Sequence, residues 1–94
     1  VRRPVPIRPP LNFDKSSVTG AGLQLEISAI VDGVVHPLLN VLADEDDESL
    51  WLQVHCGEQL VQIPLALARR LIDEAPGIVF SEARFDRECS PPTE

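Results

Sequence analysis

The residues of this 94-residue chain whose types could do chemistry are few and scattered. His36, His55, Cys56 and Cys89 are the candidate transition-metal ligands. A clasp on one ion needs several such groups to converge, and His55 and Cys56 are sequence neighbours, which on a strand sends their side chains to opposite faces. The plainer reading is a solvated His55 and a Cys56 that serves as a small core residue. The run Asp44, Glu45, Asp46, Asp47 and Glu48 has the acid density of a calcium loop. Counted from Asp44, however, its sixth position is Ser49 where such a loop needs glycine, and its twelfth is His55 where it needs a bidentate Glu. It reads as a solvated loop, with a weak cation site or a contact for a basic partner as the alternatives.

Nucleophilic catalysis would draw on Ser16, Ser17, Ser28, Ser49, Ser81 or Ser90, none of which stands in a nucleophile-elbow motif. Glu26 and Asp32 could pair as acid and base, but Asp32 already has a role in a turn and Glu26 belongs to a polar strand face. The only lysine, Lys15, does not follow the Thr19-Gly20-Ala21-Gly22 step, so there is no phosphate-cradling loop of the P-loop kind. Arg69, Arg70, Arg84 and Arg87 lie close to Asp73, Glu74, Asp86 and Glu88, which cancel their field. Arg2, Arg3 and Arg8, on a proline-rich arm, are the better candidates for phosphate contact. Trp51 is either covered by a helix or exposed as a partner contact. No catalytic, metal or cofactor-binding set is expected; the candidate partner contacts are Trp51 with Asp44 to Glu48.

A net charge of -7 and a pI near 4.6 disfavour the phosphate neutralisation on which nucleic-acid affinity depends. The asymmetry is internal. Residues 1–15 hold Arg2, Arg3, Arg8 and Lys15 against Asp14, a net +3 that leaves -10 for the rest. Hydrophobic residues make up 44% of the chain and aromatics 4%, so a core must be built from Leu, Val, Ile and Ala. No apolar run reaches the roughly 18 residues of a membrane span. Two cysteines are too few for the disulfide framework of a small secreted domain, which points to a reduced, cytoplasmic setting. Val1 in place of Met, with proline-rich ends, points to a piece of a longer protein.

These side chains need elements to position them. Pro4, Pro6, Pro9 and Pro10 predict an extended linker over residues 1–15, and residues 89–94 read as an exit linker, leaving one folded domain over 16–88. Leu23, Leu25, Ile27, Ala29 and Val31 alternate with Gln24, Glu26 and Ser28, the pattern of a half-buried strand. Asp32-Gly33 followed by Val34-Val35 predicts a hairpin. Pro37 then opens a short apolar helix through Leu42. Leu50, Leu52 and Val54 begin a second hairpin that turns at Gly57 and returns through Leu60 to Ile63. Pro64 leads into a longer helix with Leu65, Ala68, Leu71 and Ile72 at helical spacing, stopped at Pro76-Gly77, and Ile78 to Phe80 predict a final short strand. Both halves thus run strand, glycine turn, strand, proline, leucine-rich helix, a weak internal repeat. The expected fold class is α+β: a small antiparallel sheet from two β-hairpins, each followed by a helix, with the helices on one face.

The stretch GLQLEISAIVDGVVHPLLNVLA, followed after the acidic run by LWLQVHCGEQLVQIPLALARRLIDE, resembles an accessory segment upstream of the motor in bacterial Swi/Snf-related helicase-like proteins, through Val31, Asp32, Gly33, Pro37, Leu38, Leu39, Pro64 and Leu65. The resemblance implies a DNA-dependent ATPase as the parent, with this segment a non-catalytic accessory domain without an ATP site that contacts other domains of that protein. Nucleic-acid contact would be weak and confined to the amino-terminal arm. The rival expectation is a stand-alone acidic protein-interaction module holding a basic partner, and more distantly a small hydrolase.

Overall fold

Alternating apolar and polar residues give a sheet two unlike faces, and here the alternation runs through five successive strands. The computed structural model describes residues 4–18 and 22–89. Its strands are β1 (Leu11–Val18), β2 (Gly22–Val31), β3 (Val34–Ala43), β4 (Leu50–Cys56) and β5 (Gln59–Pro64), followed by helices α1 (Leu65–Ile78) and α2 (Glu82–Cys89). The strands form one antiparallel meander in the order β1-β2-β3-β4-β5. Its register aligns side chains across the whole sheet. Phe13, Ile27, Leu39, Val54 and Val61 stand in one row, and Lys15, Leu25, Val41, Leu52 and Ile63 in the next on the same face. Between them, pointing to the other face, runs the row Asp14, Glu26, Asn40, Gln53 and Gln62.

Two turns rest on backbone that side chains rarely adopt. Asp32 and Gly33 have φ of 51° and 76°, the pair of positive angles that a two-residue hairpin of the expected kind requires. Gly57, at φ 59°, makes the β4–β5 turn. α1 starts directly after Pro64, whose fixed φ suits a helix entry, and Pro76 inside it cannot donate to the carbonyl of Ile72, the place where such a helix bends.

The expected helix over Pro37–Leu42 is instead the middle of β3, so the first hairpin is not followed by a helix. A six-residue segment is too short to hold a helix unaided, while Val34 and Val35 favour a pleated strand paired with β2, and Val41 pairs with both β2 and β4. Pro37 is accommodated by a bulge. Ile27 faces Leu39 but Ser28 faces Pro37, which leaves Leu38 without a partner on β2 and breaks the ladder where an N–H is missing. The final strand expected at Ile78–Phe80 is likewise absent: Ile78 closes α1, and Val79 and Phe80 connect to α2. β1 begins at Leu11, so five of its residues fall in the segment read as linker, and Pro10 extends the pairing by accepting a hydrogen bond from Ile30 N at 3.0 Å. α2 has no counterpart in the sequence reading. Its signal is Ser81, whose Oγ accepts from Arg84 N at 3.1 Å as an N-cap. Phe80 and Phe85 stack at 5.9 Å across the α2 entry.

α1 packs against β4 and β5, with Ala68 as its one buried residue. The buried hydrophobic residues are only Ala29 and Ala68 among those described, joined by the buried polar Ser28 and Asn40. The chain measures 67 Å along its longest axis. Its radius of gyration, 18.4 Å, compares with about 12 Å for a compact domain of this length. No helix among the described residues is long and apolar enough to cross a membrane.

Candidate interaction surface

The apolar face is built by β-strand alternation and only partly roofed. α1 lies over the β4–β5 end, and between it and the sheet runs an open groove of about 500 Å³ whose floor is Leu52 and Ile63 and whose wall includes Leu67, Leu71, Ala75 and Ile78. Towards β1 the same face is uncovered: Phe13 is 67% exposed and Leu23 71%. The helix adds to this surface, since Leu71 in the groove wall is 74% exposed. A monomeric domain does not ordinarily leave its sheet face open in this way.

The opposite face is polar and self-satisfied. Asn40 donates through Nδ2 to Gln24 Oε1 at 2.7 Å, Gln53 Nε2 donates to Asn40 Oδ1 at 3.1 Å, and Gln62 Nε2 donates to Gln53 Oε1 at 3.0 Å. This amide chain crosses β2 to β5.

Trp51 stands on that polar face, opposite Leu42 and Pro64, and therefore away from α1. Of the two expectations for it, cover by a helix is not what the fold provides. It is half-buried and borders a depression of about 260 Å³ together with Leu42, Asp44, Glu45, Asp46 and Gln62. The structure thus brings Trp51 and the first three acids of the run together. The loop itself is tightly wound: Asp44 Oδ1 accepts from Asp46 N at 2.8 Å, Asp47 Oδ1 from Ser49 N at 3.0 Å, and Glu48 sits at φ 59°. The Trp51 indole donates to Ser49 Oγ at 2.9 Å and that hydroxyl donates to Asp47 Oδ1 at 2.6 Å. These hydrogen bonds, the side-chain one first, hold the Asp47 carboxyl below the usual carboxylate range. A carboxylate so stabilised is a poor base for activating Ser49.

The remaining candidates stay apart. Cys56 is a free, exposed thiol at the end of β4, a correction to its reading as a core residue: the strand ends there and nothing packs over it. His55 is half-buried on the polar face and His36 is exposed on β3. No three His, Cys, Asp or Glu side chains converge among the described residues. Arg70 pairs with Glu74, and Arg84 with Glu88 at 3.1 Å, all exposed. Arg8 is exposed on the arm; Arg2 and Arg3 lie outside the described residues, as do Thr19 to Ala21 and residues 90–94 of the exit linker. The feature that sequence reasoning missed is the open apolar face. Its residues were legible as strand positions, but alternation is the same whether a face is covered or bare.

No family model, curated protein or solved structure matches this chain.

Proposed function

We propose that this chain is a non-catalytic accessory domain that acts by protein contact, its setting a larger Swi/Snf-related helicase-like DNA-dependent ATPase. The observation that carries the contact reading is the unroofed apolar face running from Phe13 to the α1 groove. The setting rests on the sequence resemblance from Gly22 to Glu74. In that setting the contacts of the domain are with neighbouring polypeptide, and the arm bearing Arg2, Arg3 and Arg8 adds a weak touch on nucleic acid. A photoreactive benzophenone side chain at Leu71, in the protein expressed from its own gene, tests this reading. Cross-linked peptides from another polypeptide chain are the expected product, and a helicase-like motor among the cross-linked proteins supports the setting; cross-links confined to α1 and the sheet of the same molecule would overturn the contact reading.

A second reading, a stand-alone acidic interaction module, draws on the depression shared by Trp51, Asp44, Glu45 and Asp46. Acids beside an aromatic surface suit an Arg or Lys side chain of a basic partner. Trp51 is the only tryptophan, so its fluorescence reports on the site alone. Titration with an arginine-rich peptide at low and moderate salt separates the two readings: salt-sensitive quenching favours the second, and an unchanged spectrum removes it.

A further inference from the structure

We propose that the open apolar face is covered by a second copy of this chain, two sheets packing face to face about a two-fold axis. This rests on the protein-contact reading and names the partner. The first argument is area. The chain exposes 8401 Å², whereas a compact monomer of 10.3 kDa exposes about 5,400 Å². Part of that difference belongs to the proline arm and α2, but a stable dimer needs only about 800 Å² from each partner, roughly a quarter of it.

The second argument is charge. A chain of net -7 repels its own copy unless the acids are kept off the contact. The sheet rows keep to this: they contain no acidic residue, Asp14 and Glu26 point to the other face, and the remaining acids of the described chain lie in turns, in the 44–48 loop and on the helices. Glu74, which lines the α1 groove, is paired there with Arg70. The charge-bearing groups on the β1–β3 part of this face are Lys15, on the edge strand, and His36, beyond the bulge. A Lys stem can lie along the apolar surface while its ammonium stays in water. The third argument is shape. An isologous contact needs one patch complementary to itself, and a pleated face of Leu, Ile, Val and Phe rows meets that need, as the two inner faces of a sandwich do.

The test is analytical ultracentrifugation of the full chain from about 1 to 100 μM, where a Kd at or below the micromolar level gives a dimer, beside Phe13→Glu, Leu23→Glu and Leu60→Glu. Phe13 and Leu23 are exposed on the apolar face of the protomer, so their substitution leaves the fold intact, which circular dichroism checks; Leu60 is 59% exposed on the polar face. The expected result is a particle of twice 10.3 kDa that Phe13→Glu and Leu23→Glu each weaken by about 100-fold or more and Leu60→Glu leaves unchanged. A monomer at 100 μM that binds a fluorescent apolar dye overturns the second copy and leaves the contact reading standing. A monomer that does not bind the dye overturns both. A dimer weakened only by Leu60→Glu overturns the assignment to this face.

Discussion

Asn40 on β3 accepts a hydrogen bond from Gln53 on β4 at 3.1 Å, and it does so while 5% exposed, the most enclosed side chain of the polar row. A buried amide is tolerated only because its own Nδ2 is spent on Gln24 at 2.7 Å. The row therefore ties β2, β3 and β4 together through side chains on the face that has no helix.

Replacing Asn40 with Ala removes both bonds at once and leaves a small void. The expected cost is about 1–2 kcal/mol, a fall of about 5–15 °C in melting temperature. Thermal denaturation followed by circular dichroism measures it. Gln62→Ala, at the exposed end of the same chain of amides, is expected to cost less than about 0.5 kcal/mol.

The hairpin at Asp32-Gly33 offers a cleaner backbone test. A Cβ at Gly33 would meet nothing within 4 Å, so Gly33→Ala brings no clash and its cost is purely that of holding alanine at φ 76°. Urea unfolding is expected to show a loss of about 1–2 kcal/mol. An unchanged midpoint would mean that the turn is not formed as described.

Much of this fold is legible in particular residues. The alternation in GLQLEISAIV marks β2 to its end at Val31, and Asp32-Gly33 and Gly57 mark the turns because few other residues take positive φ. β1 is illegible for a physical reason: in LNFDKSSV the apolar positions are sparse, and the segment is a strand because β2 supplies a complete ladder for it, which is a property of the neighbour. β3 is obscured by Pro37, whose missing N–H argues against a strand until the bulge at Ser28 is seen. At the interaction surface, Trp51 and the acidic run were visible by type, whereas the openness of the Phe13 to Val61 row depends on which strands α1 reaches.

Ala68 is the one buried contact between α1 and the sheet. A carboxylate buried at that point would lose its hydration against Leu52 and Ile63, which forces the helix away from them. Ala68→Asp is therefore expected to undock α1 while leaving the strand signal in circular dichroism. Limited trypsin digestion checks this, since Arg69 and Arg70 follow directly; cleavage there should speed up by about 10-fold or more as the helix frays.

The last prediction concerns protons in the acidic loop. Asp47 holds its carboxyl below the usual range because the Ser49 hydroxyl and then the Ser49 backbone N–H donate to it. With the folded-state pKa depressed, whatever the carboxylate contributes to the loop is present at neutral pH, above the unfolded-state value, and is lost as pH falls through the folded-state value. Ser49→Ala deletes the larger of these bonds and the acceptor of the Trp51 indole together. Carboxyl-detected NMR titration is expected to show the Asp47 pKa rising towards the ordinary carboxylate range in Ser49→Ala. Trp51 fluorescence should change in the same variant because its Nε1–H has lost its partner. An Asp47 titration identical in the two proteins would show that the backbone N–H alone sets the shift, and the Trp51–Ser49–Asp47 chain would then have no electrostatic consequence.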